Sequence, residues 1–117
     1  MVTVRDVLAD LTEIEGVRAA FLTGTDGLVI AAQGEIPDAA DLRAALIAAI
    51  FATIDRGISH LDVGSVRQAS IETSTHIIYV VCLGELLLVV ITERETSSGI
   101  VRWEMRRAAR LLARVSA

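Results

Sequence analysis

Residues 38–60, DAADLRAALIAAIFATIDRGISH, set the problem that the rest of the chain must solve. The stretch reads as a helix, with Pro37 breaking the chain before it and Asp38 able to cap its first turn. A helix on the surface of a small domain carries one apolar stripe and one polar face. Wound at about 3.6 residues per turn, this one carries more. Ile47, Ile50, Phe51, Ile54, Ile58 and Leu61 form one ridge, and Leu42, Leu46, Ala49 and Thr53 form a second. Ala45, Ala48 and Ala52 lie between them, and polar side chains are confined to the ends: Asp41, Arg43, Asp55, Arg56, Ser59 and His60. One ridge can pack on the body of its own domain. Leaving a Leu or Ile of the other in water forgoes roughly 1.5–3 kcal/mol each, so the second ridge is expected to meet another subunit.

Upstream, Thr3 and Asp6 have the spacing of a capping box, and Val4, Val7, Leu8, Leu11 and Ile14 follow at helical spacing, with Gly16 as the stop. A first helix is therefore expected over about residues 3–15, with Asp6, Asp10 and Glu13 outward. VRAAFLTG and LVIAAQG then flank Thr25-Asp26-Gly27, a hairpin signal. Neither strand alternates cleanly, which calls for cover on both faces of a sheet.

Downstream, SVRQASIET is the most polar strand, with Val66, Gln68, Ser70 and Glu72 on one face and Arg67, Ala69, Ile71 and Thr73 on the other. It belongs at an edge. HIIYVVCLG and LLLVVIT are apolar on both faces, belong near the middle, and join through Gly84-Glu85, where glycine first suits a type II′ turn. An edge strand with few charges and no proline invites pairing with another chain. A last helix runs from Ser97 or Ser98 to about Val115, with Val101, Met105, Ala108, Leu112 and Val115 as its stripe and Ile100 and Leu111 beside it. Arg102, Arg106, Arg107, Arg110 and Arg114 sit mostly off the stripe, toward the end where cations suit the macrodipole.

The order is α-β-β-α-β-β-β-α: an α/β (α+β) sandwich, a five-stranded antiparallel sheet with helices on both faces, forming one domain over residues 1–117. Hydrophobic residues make up 53 % of the 117 and aromatics 3 %, so the core is aliphatic. A net charge of −4 offers no field for nucleic acid. No apolar run reaches the roughly 18 residues of a membrane span, and the N-terminus lacks a signal pattern, so a soluble, cytoplasmic protein is expected.

The chemistry-bearing residues are few. His60 and His76 have no second ligand at metal-binding spacing, and the single Cys82 in an apolar strand reads as a buried, inert thiol. Gly24, Gly27 and Gly34 are near one another, but Gly24-Thr25-Asp26-Gly27 sits between two strands, whereas a phosphate loop leads into a helix N-terminus, so the chain is not expected to be itself a nucleotide-binding GTPase. Trp103 lies near the polar side of the last helix and is expected to be partly buried against the sheet; exposed, it would be a binding anchor. No catalytic residue, metal or cofactor is indicated.

Taken in order, LTEIEGVRAAFLTGTDGLVIAA, DLRAALIAAIFATIDRGISHL, GSVRQASIETSTHIIYVVCLGELLLVVIT and SSGIVRWEMRRAARLL resemble the Roadblock/LC7 family over essentially the whole chain. The marks are the Gly-Val entering the first strand, the Asp-Gly turn and the late Leu-Gly-x-x-x-Leu segment. The chain looks most like the prokaryotic members that work with Ras-like GTPases, including the gliding-motility type. That resemblance implies a roadblock/profilin-like fold and a homodimer whose third strands pair into one sheet and whose second helices lie side by side. It also implies a small Ras-like GTPase as partner, with hydrolysis stimulated in some members by reshaping the GTPase's own switch residues rather than by an arginine finger. Carried over, the dimer seam falls on Leu42, Ala45, Leu46, Ala49, Ala52, Thr53 and Arg56, with Val66, Gln68, Ser70 and Glu72 and their alternate neighbours from the strand. Two other functions compete: an adaptor dimer without effect on hydrolysis, and a ligand-sensing or catalytic domain of similar shape, which would need a pocket of convergent polar groups.

Overall fold

The computed structural model describes residues 2–35 and 40–115, so Pro37 and the expected cap Asp38 lie outside the described residues. The elements are α1 (Val4–Thr12), β1 (Val17–Gly24), β2 (Val29–Gly34), α2 (Ala40–Ser59), β3 (Gln68–Glu72), β4 (His76–Leu83), β5 (Leu86–Glu93) and α3 (Ser98–Val115). They form one antiparallel sheet in the order β2-β1-β5-β4-β3, so the polar strand β3 is an edge and β5 is central, as the residue patterns require.

Both faces are covered because the inner strands are apolar on both sides. Tyr79, Leu88, Val90, Ala20 and Leu22 point to the face covered by α1 and α3, where they meet Leu8, Leu11, Val101, Met105 and Leu112. Phe21, Val80, Leu87 and Val89 point the other way, onto Ala44, Ala48 and Phe51 of α2. The core is thus split by the sheet into two layers built almost wholly from aliphatic side chains.

Local chemistry fixes the joints. Thr3 caps α1: its hydroxyl accepts from the Asp6 N–H at 3.2 Å, and its own N–H donates to Asp6 Oδ2 at 3.0 Å. The helix ends at Thr12, short of the expected residue 15, because residues 14–17 close a turn through Val17 N–H to the Ile14 carbonyl at 3.0 Å. Gly16, at φ +92°, serves that turn rather than the helix end. In the first hairpin the Leu28 N–H donates to Asp26 Oδ1 at 3.1 Å, and β2 starts one residue late, at Val29, behind a bulge. Gly84, at φ +67°, is the first central residue of the β4–β5 turn, and Glu85 keeps a negative φ, the type II′ pattern.

Candidate functional site

The surface of interest is the outer side of α2 and the neighbouring edge of the sheet. The residues of α2 that face the core are Ala44, Ala48 and Phe51; Ile47, Ile54 and Ile58 are half-buried beside them. Ala48, placed by the helical wheel among the small side chains between the two ridges, is therefore core. Ile50 and Leu61, assigned to the inner ridge, are instead 46 % and 64 % exposed. Ala44, Ala48 and Phe51 are the α2 residues that pack with Phe21, Val80, Leu87 and Val89 of the sheet, Ile50 falls off that stripe, and Leu61 lies past the end of the helix.

The expected outer ridge is outward. Leu42 is 60 % and Leu46 54 % exposed, and with Ile50 they stand at i, i+4, i+8 as one apolar row. Ala49, Thr53, Ala45, Ala52 and Arg56 are also exposed. The two flanks of this row differ. On one, Ala45 borders the first hairpin, where a Cβ on Gly27 would stand 3.0 Å from the Ala45 Cα. On the other, Ile47, Ile50 and Ile54 line a narrow recess with Ala69 and Ile71 of β3. Ile50, Ala69 and Ile71 thus join the apolar surface. The pleat already assigned Ala69 and Ile71 to one face, but the sequence does not say which face α2 covers.

β3 contributes its unpaired edge: it hydrogen-bonds only with β4, and no further strand flanks it among the described residues. Gln68, Ser70 and Glu72 point to the α3 side, where Ser70 accepts from Arg102 at 3.2 Å and Glu72 from Arg94 at 2.9 Å. Val66 precedes the strand and packs with the α2-side cluster, its N–H donating to Asp55 Oδ1 at 2.8 Å.

The remaining singled-out residues fall elsewhere. Cys82 is partly rather than fully buried, because it lies at the margin of the α2-side cluster beside Asp55. Burial first, and the Asp55 carboxylate second, push its thiol pKa up. Trp103 is 55 % exposed, not tucked against the sheet, because Val101 and Met105 take the sheet-facing stripe and residue 103 points away from it. His60 is exposed at the end of α2, and the His76 Nδ1 lies 2.7 Å from the Thr75 hydroxyl. Among the described residues no group of three or more His, Cys, Asp or Glu side chains could hold a metal ion, and no helix is long and apolar enough to cross a membrane.

Comparison with known proteins agrees with this architecture. The Roadblock/LC7 domain model matches residues 3–92, which leaves α3 beyond the matched span. The uncharacterized protein MJ0310 of Methanocaldococcus jannaschii is 35 % identical over 103 residues, 88 % of this chain and 90 % of its own length. A Roadblock/LC7 domain from Streptomyces avermitilis superposes with a TM-score of 0.84 at 28 % identity, covering 92 % of each chain. The gliding protein MglB from Thermus thermophilus gives 0.86 at 26 % identity over 96 % of this chain and 87 % of its own. An MglB described with a tetrameric arrangement gives 0.87, also at 26 % identity, over 96 % and 86 %. With a family model spanning most of its length and an archaeal relative above 30 % identity, this chain belongs to the Roadblock/LC7 family.

Proposed function

We propose that the chain acts as a single Roadblock/LC7 domain over its whole length, as a non-enzymatic homodimer that binds a small Ras-like GTPase in the cytoplasm. The observation that carries this reading is the apolar row Leu42, Leu46 and Ile50 lying open beside an unpaired strand edge. Full burial of such side chains is worth roughly 1.5–3 kcal/mol each, and a second copy supplies both an apolar helix for the row and a strand for the edge. The seam comprises Leu42, Ala45, Leu46, Ala49, Ala52, Thr53 and Arg56 of α2, to which Ile50 is added, and the segment Val66, Gln68, Ser70 and Glu72 with Ala69 and Ile71 between them. The tetrameric arrangement of an MglB similar to this chain supports self-association.

The GTPase partner rests on the likeness to MglB and on the family resemblance of the sequence. The regulator stimulates GTP hydrolysis by pressing on the GTPase's own switch residues, without supplying a reacting group. Nucleic acid and membrane insertion have no part in this reading: the net charge is −4, and no helix described is fit to span a bilayer.

The test is a pull-down with the Ras-like GTPase encoded nearest to this chain, loaded with GDP or a non-hydrolysable GTP analogue, together with a GTP-turnover assay. Selective capture of one nucleotide state, with faster turnover, is expected. Equal capture of both states with unchanged turnover would make the protein an adaptor, and no capture in either state would remove the GTPase from the account.

A further inference from the structure

On the sheet face opposite α2, α3 stands off from β3 and β4 and leaves a groove of about 320 Å3. Tyr79 lines it from the sheet and is 3 % exposed, yet its hydroxyl is buried with no hydrogen-bond partner. An unpaired buried hydroxyl is costly, and proteins rarely keep one without a use. Arg102, Arg106 and Arg110 line the other side at i, i+4 and i+8, so their guanidinium groups share one face of the helix.

These arginines are not neutralised. Arg102 donates to the uncharged Ser70 hydroxyl and lies 5.8 Å from the centroid of the Tyr79 ring. None of the three forms an ion pair among the described residues, whereas Arg18, Arg94 and Arg107 all do. In a chain of net charge −4 this is a row of unpaired positive charge lining the same groove as a buried donor. Met105, Val80, Val81, Ala69 and Ala109 give the groove an apolar wall, and Gln68 and Ser70 line it from the edge strand.

We propose that this groove is a binding site for a small amphiphilic anion, an organic carboxylate with an apolar body. The Tyr79 hydroxyl and the arginine forks hold the carboxylate, and the body lies along Met105 and Val81. Arginine presents paired N–H donors that match a carboxylate, and a phenol adds a short charge-assisted bond. The volume sits at the small end of the roughly 300–1,000 Å3 typical of ligand sites. The groove lies on the sheet face opposite the apolar row on α2, shares Gln68, Ala69 and Ser70 with the strand part of the proposed seam, and does not depend on the GTPase reading.

The chain's two methionines are Met1 and Met105, so 13C-methyl-methionine labelling gives the groove its own NMR probe. The labelled protein is titrated with decanoate, decanol and inorganic phosphate. Decanoate is expected to shift Met105 saturably, with decanol and phosphate each binding at least about tenfold more weakly. Tyr79→Phe removes one bond to a charged group, so decanoate should bind about tenfold more weakly, while the melting temperature stays or rises. Arg106→Gln and Arg110→Gln should each weaken decanoate further, as should added salt. Three results would overturn the proposal: no saturable Met105 shift, decanol binding as tightly as decanoate, or undiminished affinity in Tyr79→Phe.

Discussion

Asp55, on the inner side of α2, accepts a 2.8 Å hydrogen bond from the Val66 N–H, and so ties the long helix to the segment that enters the edge strand. One residue on, the Arg67 carbonyl accepts from the Cys82 N–H at 2.8 Å, continuing the β3–β4 pairing past the strand's end. The two bonds hold the helix and the strand edge in one rigid surface.

That tie separates charge from hydrogen bonding. Asp55→Asn keeps an acceptor for Val66 but removes the carboxylate that helps raise the Cys82 pKa. Stability to urea should change little, while the thiol should react faster with a disulfide reagent near pH 8. Asp55→Ala removes the acceptor as well and leaves a partly buried N–H unpaired, which costs about 1–3 kcal/mol. In the wild type the reaction should be slow, because burial is the larger cause of the raised pKa and neither variant relieves it.

Gly34 closes β2 at φ +93°, where a Cβ would stand 2.5 Å from the Arg18 carbonyl oxygen and 3.0 Å from the Ala19 Cα. Both neighbours are backbone and cannot swing aside. Gly34→Ala should therefore cost more than the about 1–3 kcal/mol of backbone strain alone, read as a fall in the urea midpoint. Gly64 has nearly the same φ but open space around its Cβ position, so Gly64→Ala should carry only the strain of the backbone and cost less.

The cap of α1 gives a pH signature. The Thr3 N–H and then the Thr3 hydroxyl hold the Asp6 carboxyl below the ordinary aspartate pKa. A carboxyl whose folded pKa is lowered contributes stability that is complete above its unfolded pKa and lost as pH falls through the folded value. Asp6→Asn should therefore be less stable than the wild type at pH 7, and the gap should close below about pH 3 to 4. Urea midpoints across that range measure it.

Most of the fold is legible in the sequence because its signals are local. The Thr3–Asp6 box, the Asp26-Gly27 turn and the Gly84-Glu85 turn each fix geometry through a few adjacent residues, and strands apolar on both sides leave no choice but two covered faces. What is not legible depends on distances between elements. A helical wheel cannot tell that Ile50 turns outward while Ala48 turns in, because that follows from the packing of Ala44, Ala48 and Phe51 with the sheet. The bulk of Trp103 suggests partial burial, whereas its position on α3 leaves it facing away from the sheet. The groove under α3 is invisible for the same reason: Tyr79 looks like one more core residue until its hydroxyl is seen without a partner.

The central claim is that the open row on α2 meets its counterpart on a second copy. Light scattering coupled to size-exclusion chromatography at micromolar concentration measures this directly. Twice the chain mass of 12.5 kDa, or a multiple of that dimer, is predicted for the wild type, and loss of the dimer for Ala49→Glu, where an unpaired charge would be buried in the seam. A wild type that elutes as a monodisperse 12.5 kDa species at high concentration, or an Ala49→Glu dimer as tight as the wild type, would contradict the account.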